Sequence, residues 1–508
     1  MKLHPLVAAG AALLIVAAPG LAHARHPHRA TLGLFTRSVD IGPVPAAGSA
    51  SYDAKTGVYR VTGGGRDIWA ASDDFHFVAK SVTGDLDLAA TLDWVTDSGD
   101  PHRKAGLMMR QSLAPDSPYV DVVVHGNHHV ALQYREIPGG ETHEIEAQLP
   151  GPGRFRLERE GDWVYMSVAG PDGVLHHAGG GFPFKVTGPY LAGLVVCAHD
   201  DKITKTVDFS AVTLDVPPPV PLDTSYNARV ESTLETVDIA TGYQAVIYRT
   251  DDHIEAPNWL GDGKTLLFNG AGSLFTLALD GGAPAMLDTG SLHKINNDHG
   301  VSADGRWLAI SDQSDPDNQS RVYVLPLSGG QPRQVTAEGP SYWHGWAPDG
   351  RTLAVIARRN DDFDVYAIPS AGGAETRLTT TPGLDDGADY SPDGRWIYFN
   401  SVRSGNMKLW RMHPDGQAAE QLTFNDDSRD WFPHPSPDGK WIAFVSFAGD
   451  VAVGDHPPNH EVWIKVMPAA GGEARIVAHL FGGQGTMNVP SWSPDSTRLA
   501  FVSYRRIP

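Results

Sequence analysis

The chain has 508 residues, of which 40 are Lys or Arg and 60 are Asp or Glu, giving a formal net charge of −20 at neutral pH. That balance argues against non-specific attachment to nucleic acid or to an anionic membrane, because both need phosphate neutralised by basic side chains. Cys197 stands alone and cannot form an internal disulfide, while 55 Gly and 38 Pro suit an all-β chain with many turns.

Residues 1–24 begin with Lys2, carry an apolar run from Leu6 to Ala18 and end on Ala22-His23-Ala24, the pattern of a secretory signal. The run is too short to cross a bilayer, and no later stretch reaches the roughly 20 apolar residues of a membrane helix. No cysteine at the cleavage site offers a lipid attachment point. A periplasmic or secreted protein without membrane insertion is expected.

Over residues 31–216, segments such as Leu86-Asp87-Leu88, Tyr119 to Val124 and Phe155-Arg156-Leu157-Glu158-Arg159 alternate apolar and polar side chains between Gly, Pro and Asp. Such strands predict a β-sandwich. At Asp67-Ile68-Trp69, Gly84-Asp85-Leu86, Ala105-Gly106-Leu107-Met108-Met109-Arg110 and Asp116-Ser117-Pro118-Tyr119-Val120, this half resembles an uncharacterised bacterial domain family of the concanavalin-A-like superfamily. The resemblance implies a two-sheet jelly roll whose concave face binds sugars in many relatives. Arg110, Tyr119, His125 and Tyr134 are then candidate contacts, against the plainer reading of ordinary sheet-face residues.

Val216-Pro217-Pro218-Pro219-Val220-Pro221 opens a stiff spacer, taken as residues 217–226, because consecutive prolines hold an extended geometry and donate no ladder hydrogen bonds. Beyond it, Ser391-Pro392-Asp393-Gly394 recurs in variants whose aspartates are Asp262, Asp304, Asp349, Asp393, Asp438 and Asp495, at steps of 42, 45, 44, 45 and 57 residues. That is the period of a four-stranded propeller blade. Strands available at residues 234–239 and 245–248 complete the last copy, which predicts six blades closed between the C-terminus and the start of the domain. These motifs resemble the TolB-like six-bladed propellers with WD40-like PD40 repeats, over residues 227–508.

Function in such a fold is sought where the inner strands begin. Aligning the copies on Trp259, Val301, Trp346, Tyr390, Pro435 and Trp492 places Asn297-Asp298-His299, Tyr342-Trp343-His344, Asp385-Asp386-Gly387-Ala388-Asp389, Trp431-Phe432-Pro433-His434 and Gln484 to Asn488 around one mouth. The insertion over residues 447–460 adds Asp455 and His456, and strand connections add Arg403 and Arg358-Arg359. Trp343 and Trp431 would stack on a pyranose, with His299, His344, His434, His456, Arg403, Gln484 and Asn488 fixing its orientation. His299, His344 and His434 are candidate ligands for a divalent metal cofactor, against the plainer reading of a wet, hydrogen-bonded channel.

Asp298, Asp386, Asp389 and Asp455, with Asp385 beside them, are candidate acid/base carboxylates. Paired, they would serve a glycoside hydrolase. With a metal-bound uronate they would serve a polysaccharide lyase, which resembles the oligogalacturonate lyases, although the motifs of that family are not recognisable here. The sequence contains no Gly-x-Ser-x-Gly elbow and no following α/β domain, which argues against a serine peptidase. The leading expectation is an exported glycan-binding or glycan-processing protein with a carbohydrate ligand. The alternative is a non-catalytic scaffold of the TolB type with an envelope protein as partner.

Overall fold

The computed structural model describes residues 32–147, 153–169, 173–178, 181–219, 228–240, 242 and 244–507. The expected signal segment and most of the proline spacer lie outside these residues, and Pro217–Pro219 belong to no strand. The described residues form strands and no helix, and no helix is long and apolar enough to cross a membrane.

Five consecutive four-stranded antiparallel sheets make a β-propeller. Their inner strands are Ile254–Trp259, Ile295–Val301, Ser341–Trp346, Asp385–Tyr390 and Ser428–Pro435. We number the blades in that order. Each inner strand ends in a turn whose own side chains close it. In the fourth blade, Ser391 Oγ donates to Asp393 Oδ1 at 2.7 Å, the Trp396 N–H donates to Ser391 Oγ at 2.9 Å, and the Arg395 N–H donates to Asp393 Oδ1 at 3.1 Å. Gly394 supplies the left-handed backbone, φ +70°, that the turn needs. Those hydrogen bonds hold the Asp393 carboxyl down at about 2. The Ser–Asp pair repeats at Ser302–Asp304, Ser436–Asp438 and Ser493–Asp495, so the recurring aspartates are turn-formers.

After the fifth blade the chain returns to where the propeller began. Arg498–Arg506 pairs along its whole length with Val230–Asp238, which pairs in turn with Gln244–Thr250, and Trp492 bridges to Leu499 on the inner side. The outer edge of Gln244–Thr250 is taken by His143–Ala147 from the N-terminal half, in parallel register. An otherwise open sheet edge is thereby covered, and one ten-stranded sheet runs from the N-terminal half into the propeller.

The N-terminal half contributes seven strands to that sheet and a second sheet of its own. A single apolar cluster draws alternate residues from both, among them Val120, Val122 and Val124 from one and Leu88, Phe155 and Leu157 from the other. The spacer is therefore not the sole connection between the halves. Arg505 reaches from the last strand to Glu158 at 3.2 Å and Glu160 at 2.8 Å, its guanidinium 4.1 Å from the Tyr165 ring centre. Trp163 packs edge-on against Phe481.

Candidate functional site

Every inner strand carries a register shift near its start, between Glu255 and Asn258, Ile295 and His299, Trp343 and Gly345, Asp386 and Asp389, and Trp431 and His434. A bulge of this kind bends the strand and re-aims the side chains on either side of it. Three bulges place a residue in the left-handed region: Ala256 at φ 53°, Gly387 at φ 65° and Phe432 at φ 55°. For Ala and Phe that conformation is strained, of the kind that collects at functional sites.

The bulges sort the expected residues into separate groups. Asp298, His344, Asp386 and His456 form one. His344 Nε2 lies 3.0 Å from Asp386 Oδ1, and its ring stacks on Phe432 at 6.1 Å. Burial alone would push the His344 midpoint down, but Asp386, Asp298 and Asp389 together raise it above the ordinary histidine value. Burial likewise works to raise Asp386, and His344 with His456 reverses it, so that Asp386 sits below the ordinary carboxylate range. Asp298 has no such direct partner. Burial carries its carboxyl up to about 7, with His344 opposing and Asp386 and Glu255 reinforcing. His456 covers Trp431 at 4.2 Å, and burial lowers its midpoint. The arrangement places one proton-holding carboxyl beside a buried imidazole–carboxylate pair, a combination able to pass a proton near neutral pH.

The remaining expected residues do not join this group. Asp389 faces away from it into the cavity at the opposite mouth, and its Oδ2 lies 3.2 Å from His434 Nδ1. His299 is fully buried, and burial takes it down to about 4 against the opposing backbone carbonyls of Asn296 and Ala256. Among the described residues no three His, Cys, Asp or Glu side chains gather as a metal ion needs. The expected ligand trio of His299, His344 and His434 is therefore not assembled, because each imidazole is packed within its own blade interface.

Trp343 and Trp431, expected as sugar platforms, are 1% and 0% exposed. The Trp343 indole lies against Gly300, where any Cβ would come within 2.0 Å of it, and Trp431 is covered by Phe432 and His456. Arg403 is held on both oxygens of Asp385, at 3.0 and 2.9 Å, with Phe399 and Trp410 beside its guanidinium. Arg359 is paired with Glu375 while Arg358 remains at the surface. Asn488 and Gln484 bond each other at 3.1 Å and close their own loop through Gly485. Asp455 is exposed on the insertion, accepting the His456 N–H at 2.9 Å.

In the N-terminal half, Arg110 and Tyr119 are buried within a polar network: Arg110 donates to the carbonyls of Ser112 and Ala114, and Tyr119 lies 3.3 Å from Thr142 Oγ1. Tyr134 stacks on Phe182 in the apolar core, and His125 is buried and pushed down to about 3. These four are structural residues and present no open sugar face.

Two neighbours of the acid–imidazole group have no role assigned from the sequence: Glu255, which lies outside the aligned segments, and Tyr342, which is placed at the mouth only as a flanking residue. Glu255 receives Asn269 and Asn297 side-chain amides at 3.2 and 3.3 Å and His253 at 3.2 Å, and Tyr342 lies close enough to Asp298 and Asp386 for both to raise its phenol. Each stands four positions before its aligned aromatic, as Asp386 does before Tyr390, and that shared offset is the signal that would have found them.

A family model for the TolB beta propeller domain matches residues 344–461. An uncharacterized protein of Agrobacterium fabrum is 46% identical over 284 residues, which cover 56% of this chain and 96% of that protein. A solved structure of a TolB-type protein from Agrobacterium tumefaciens is 46% identical, with a TM-score of 0.53 and coverage of 55% of this chain and 99% of that one. A TolB homolog of Chlorobium chlorochromatii is 30% identical over 122 residues, 23% of this chain and 27% of that protein. Through its propeller repeats and its near full-length match to the Agrobacterium fabrum relative, the chain belongs to the TolB-like β-propeller family.

Proposed function

We propose that the protein is an exported, non-catalytic TolB-like scaffold of the cell envelope, which binds a polypeptide partner on the propeller face where the inner strands begin. The observation that carries this reading is the enclosure of the groups that would stack on or clamp a sugar there: Trp343 and Trp431 are buried and Arg403 is held by Asp385. What that mouth leaves accessible is the insertion bearing Asp455, a projecting loop suited to a partner's side chains. Relatives named TolB give the reading its class. The test is co-purification from envelope extracts followed by reconstitution: a stoichiometric complex that survives size-exclusion chromatography and is lost in Asp455→Lys supports the scaffold. Failure of any purified candidate to form such a complex removes it.

A second reading, processing of a glycan, rests on one specific observation, the proton-holding Asp298 beside the His344–Asp386 pair. Turnover of a chromogenic oligosaccharide panel, abolished in both Asp298→Asn and His344→Gln, would favour it over the scaffold.

Two architectural readings belong with these. We infer that Arg498–Arg506, Val230–Asp238 and Gln244–Thr250, with Trp492 at the inner position, act as a sixth blade. We also infer that the N-terminal half is a concanavalin-A-like sandwich, which the core shared by its two sheets supports. Residues 1–24 supply the export signal.

A further inference from the structure

The opposite mouth, where the Asp-Gly turns gather, opens into a cavity of about 680 Å³. Trp259, Trp346 and Tyr390, each the last residue of an inner strand, line it together with Trp492. One residue deeper stand Asn258 and Asp389, and the Trp343 indole also contributes to the lining. Proline rings fill the gaps between these aromatics.

The polar groups of this cavity are unusually one-sided. Its lining residues include two carboxylates, Asp389 and Asp304, and no Lys, Arg or His. The indole N–H groups of Trp346 and Trp492 already donate to the carbonyls of Gly300 and His434, at 3.0 and 2.9 Å, so those rings have no donor left for a ligand. Asn258 gives its amide N–H to the Pro490 carbonyl at 2.8 Å, which leaves its Oδ1 without a partner although the residue is only 3% exposed. Two indole donors on the wall are left without a partner, Trp259 Nε1 and Trp343 Nε1. The Trp259 ring already holds the Arg498 guanidinium 4.8 Å from its centre.

A cavity rich in acceptors and π faces and poor in donors discriminates sharply among ligand classes. An anion would meet two carboxylates, Asp389 and Asp304, whose partners His434 and Arg306 stand outside the lining. A sugar would present several hydroxyls to two unpartnered indole donors and leave most of them unsatisfied after losing water. A primary ammonium would need three good acceptors to replace its hydration. A quaternary ammonium group needs no hydrogen bonds, has little hydration to lose, and is drawn to aromatic faces and to a nearby carboxylate.

We propose that the turn-side cavity is a binding site for a compact organic cation of the quaternary-ammonium class, with Tyr390, Trp346 and Trp492 as its aromatic walls and Asp389 as its counter-charge. Its residues are not those of the partner surface on the other face, so loss of either reading leaves the other standing.

The test is calorimetric titration of the full chain with choline and with 3,3-dimethyl-1-butanol, which has the same shape and no charge. Choline is expected to saturate one site and the neutral alcohol to bind roughly tenfold more weakly, the size of a well-placed cation–π contribution. Tyr390→Phe should retain choline, whereas Tyr390→Leu should weaken it about tenfold. Asp389→Asn keeps the shape of the cavity and should weaken choline several-fold, so it serves even if Tyr390→Leu does not fold. Equal affinity for choline and the neutral alcohol, no saturable choline binding, or choline binding unchanged in Asp389→Asn would each overturn the proposal.

Discussion

Asp298 is a carboxyl that the fold disfavours in its charged form, and this can be measured. It is 6% exposed, and burial carries its midpoint from 3.8 to about 7. Between those two values the folded state holds a proton that the unfolded state has released, so stability falls as pH rises through the window. The gap is about three pH units at about 1.4 kcal/mol each, which places the loss near 4 kcal/mol once the pH is above 7. Asparagine has the same shape and cannot ionise. Asp298→Asn is therefore expected to match the parent near pH 4 and to exceed it by up to about 4 kcal/mol near pH 8. Urea unfolding followed by tryptophan fluorescence at both pH values measures the difference. A gain of equal size at both, or none near pH 8, would refute the reasoning. Absence of a gain near pH 8 would mean that protonated His344 compensates the Asp298 charge in full.

Three further outcomes follow from the geometry. In Asp386→Asn the imidazole of His344 loses its closest counter-charge while staying buried, so its midpoint should fall below the ordinary histidine value instead of lying above it; a histidine-selective NMR titration reads this directly. Gly300→Ala should destabilise the propeller by about 3 kcal/mol, because the new Cβ would come within 2.0 Å of the enclosed Trp343 ring; the backbone there suits any residue, so overpacking is the whole effect, and thermal unfolding tests it. Arg505→Met removes from Glu158 its partner in the propeller while Arg156 and Ser167 still hold the carboxylate at 3.0 Å, and should cost about 1.5–3 kcal/mol. Because Arg505 ties the two halves together, calorimetry should then show the propeller and the N-terminal half melting separately instead of in one transition.

The propeller was legible because its signal is local. Ser391, Asp393 and Gly394 close their turn with their own side chains, and the same chemistry recurs at almost constant spacing, so the repeat can be read without knowing any long-range contact. The closing strands were legible for a related reason: a final copy with too few strands needs partners, and Val230–Asp238 supplies the nearest. The site was only half legible. The aligned offsets brought Asp298, His344 and Asp386 to one place, but they could not tell which neighbours share it, because that depends on where each strand slips its register. Nothing in Phe432 or Ala256 announces a left-handed backbone, since neither residue type favours it. The conformation is imposed by the packed blades around it.

The same slip explains why aromatic residues expected at an open mouth are enclosed. Trp343 stands at the bulge of the third blade, and Gly300 of the second blade lacks the one atom that would keep the indole out. The ring therefore lies among Ala256, Ala309 and Trp346 from three blades, at the inner end of the turn-side cavity. On one side of it the next residue, His344, pairs with Asp386 beside Asp298, whose midpoint burial carries up to about 7; on the other, Asp389 and Asn258 face a chamber of aromatic rings. A repeat that sends one set of side chains to each mouth thus gives a single channel two different chemistries, proton-holding at one end and cation-accepting at the other. Gly300→Ala probes both at once: pushing Trp343 aside should disturb the His344 titration and the choline affinity together, whereas two independent surfaces would respond separately.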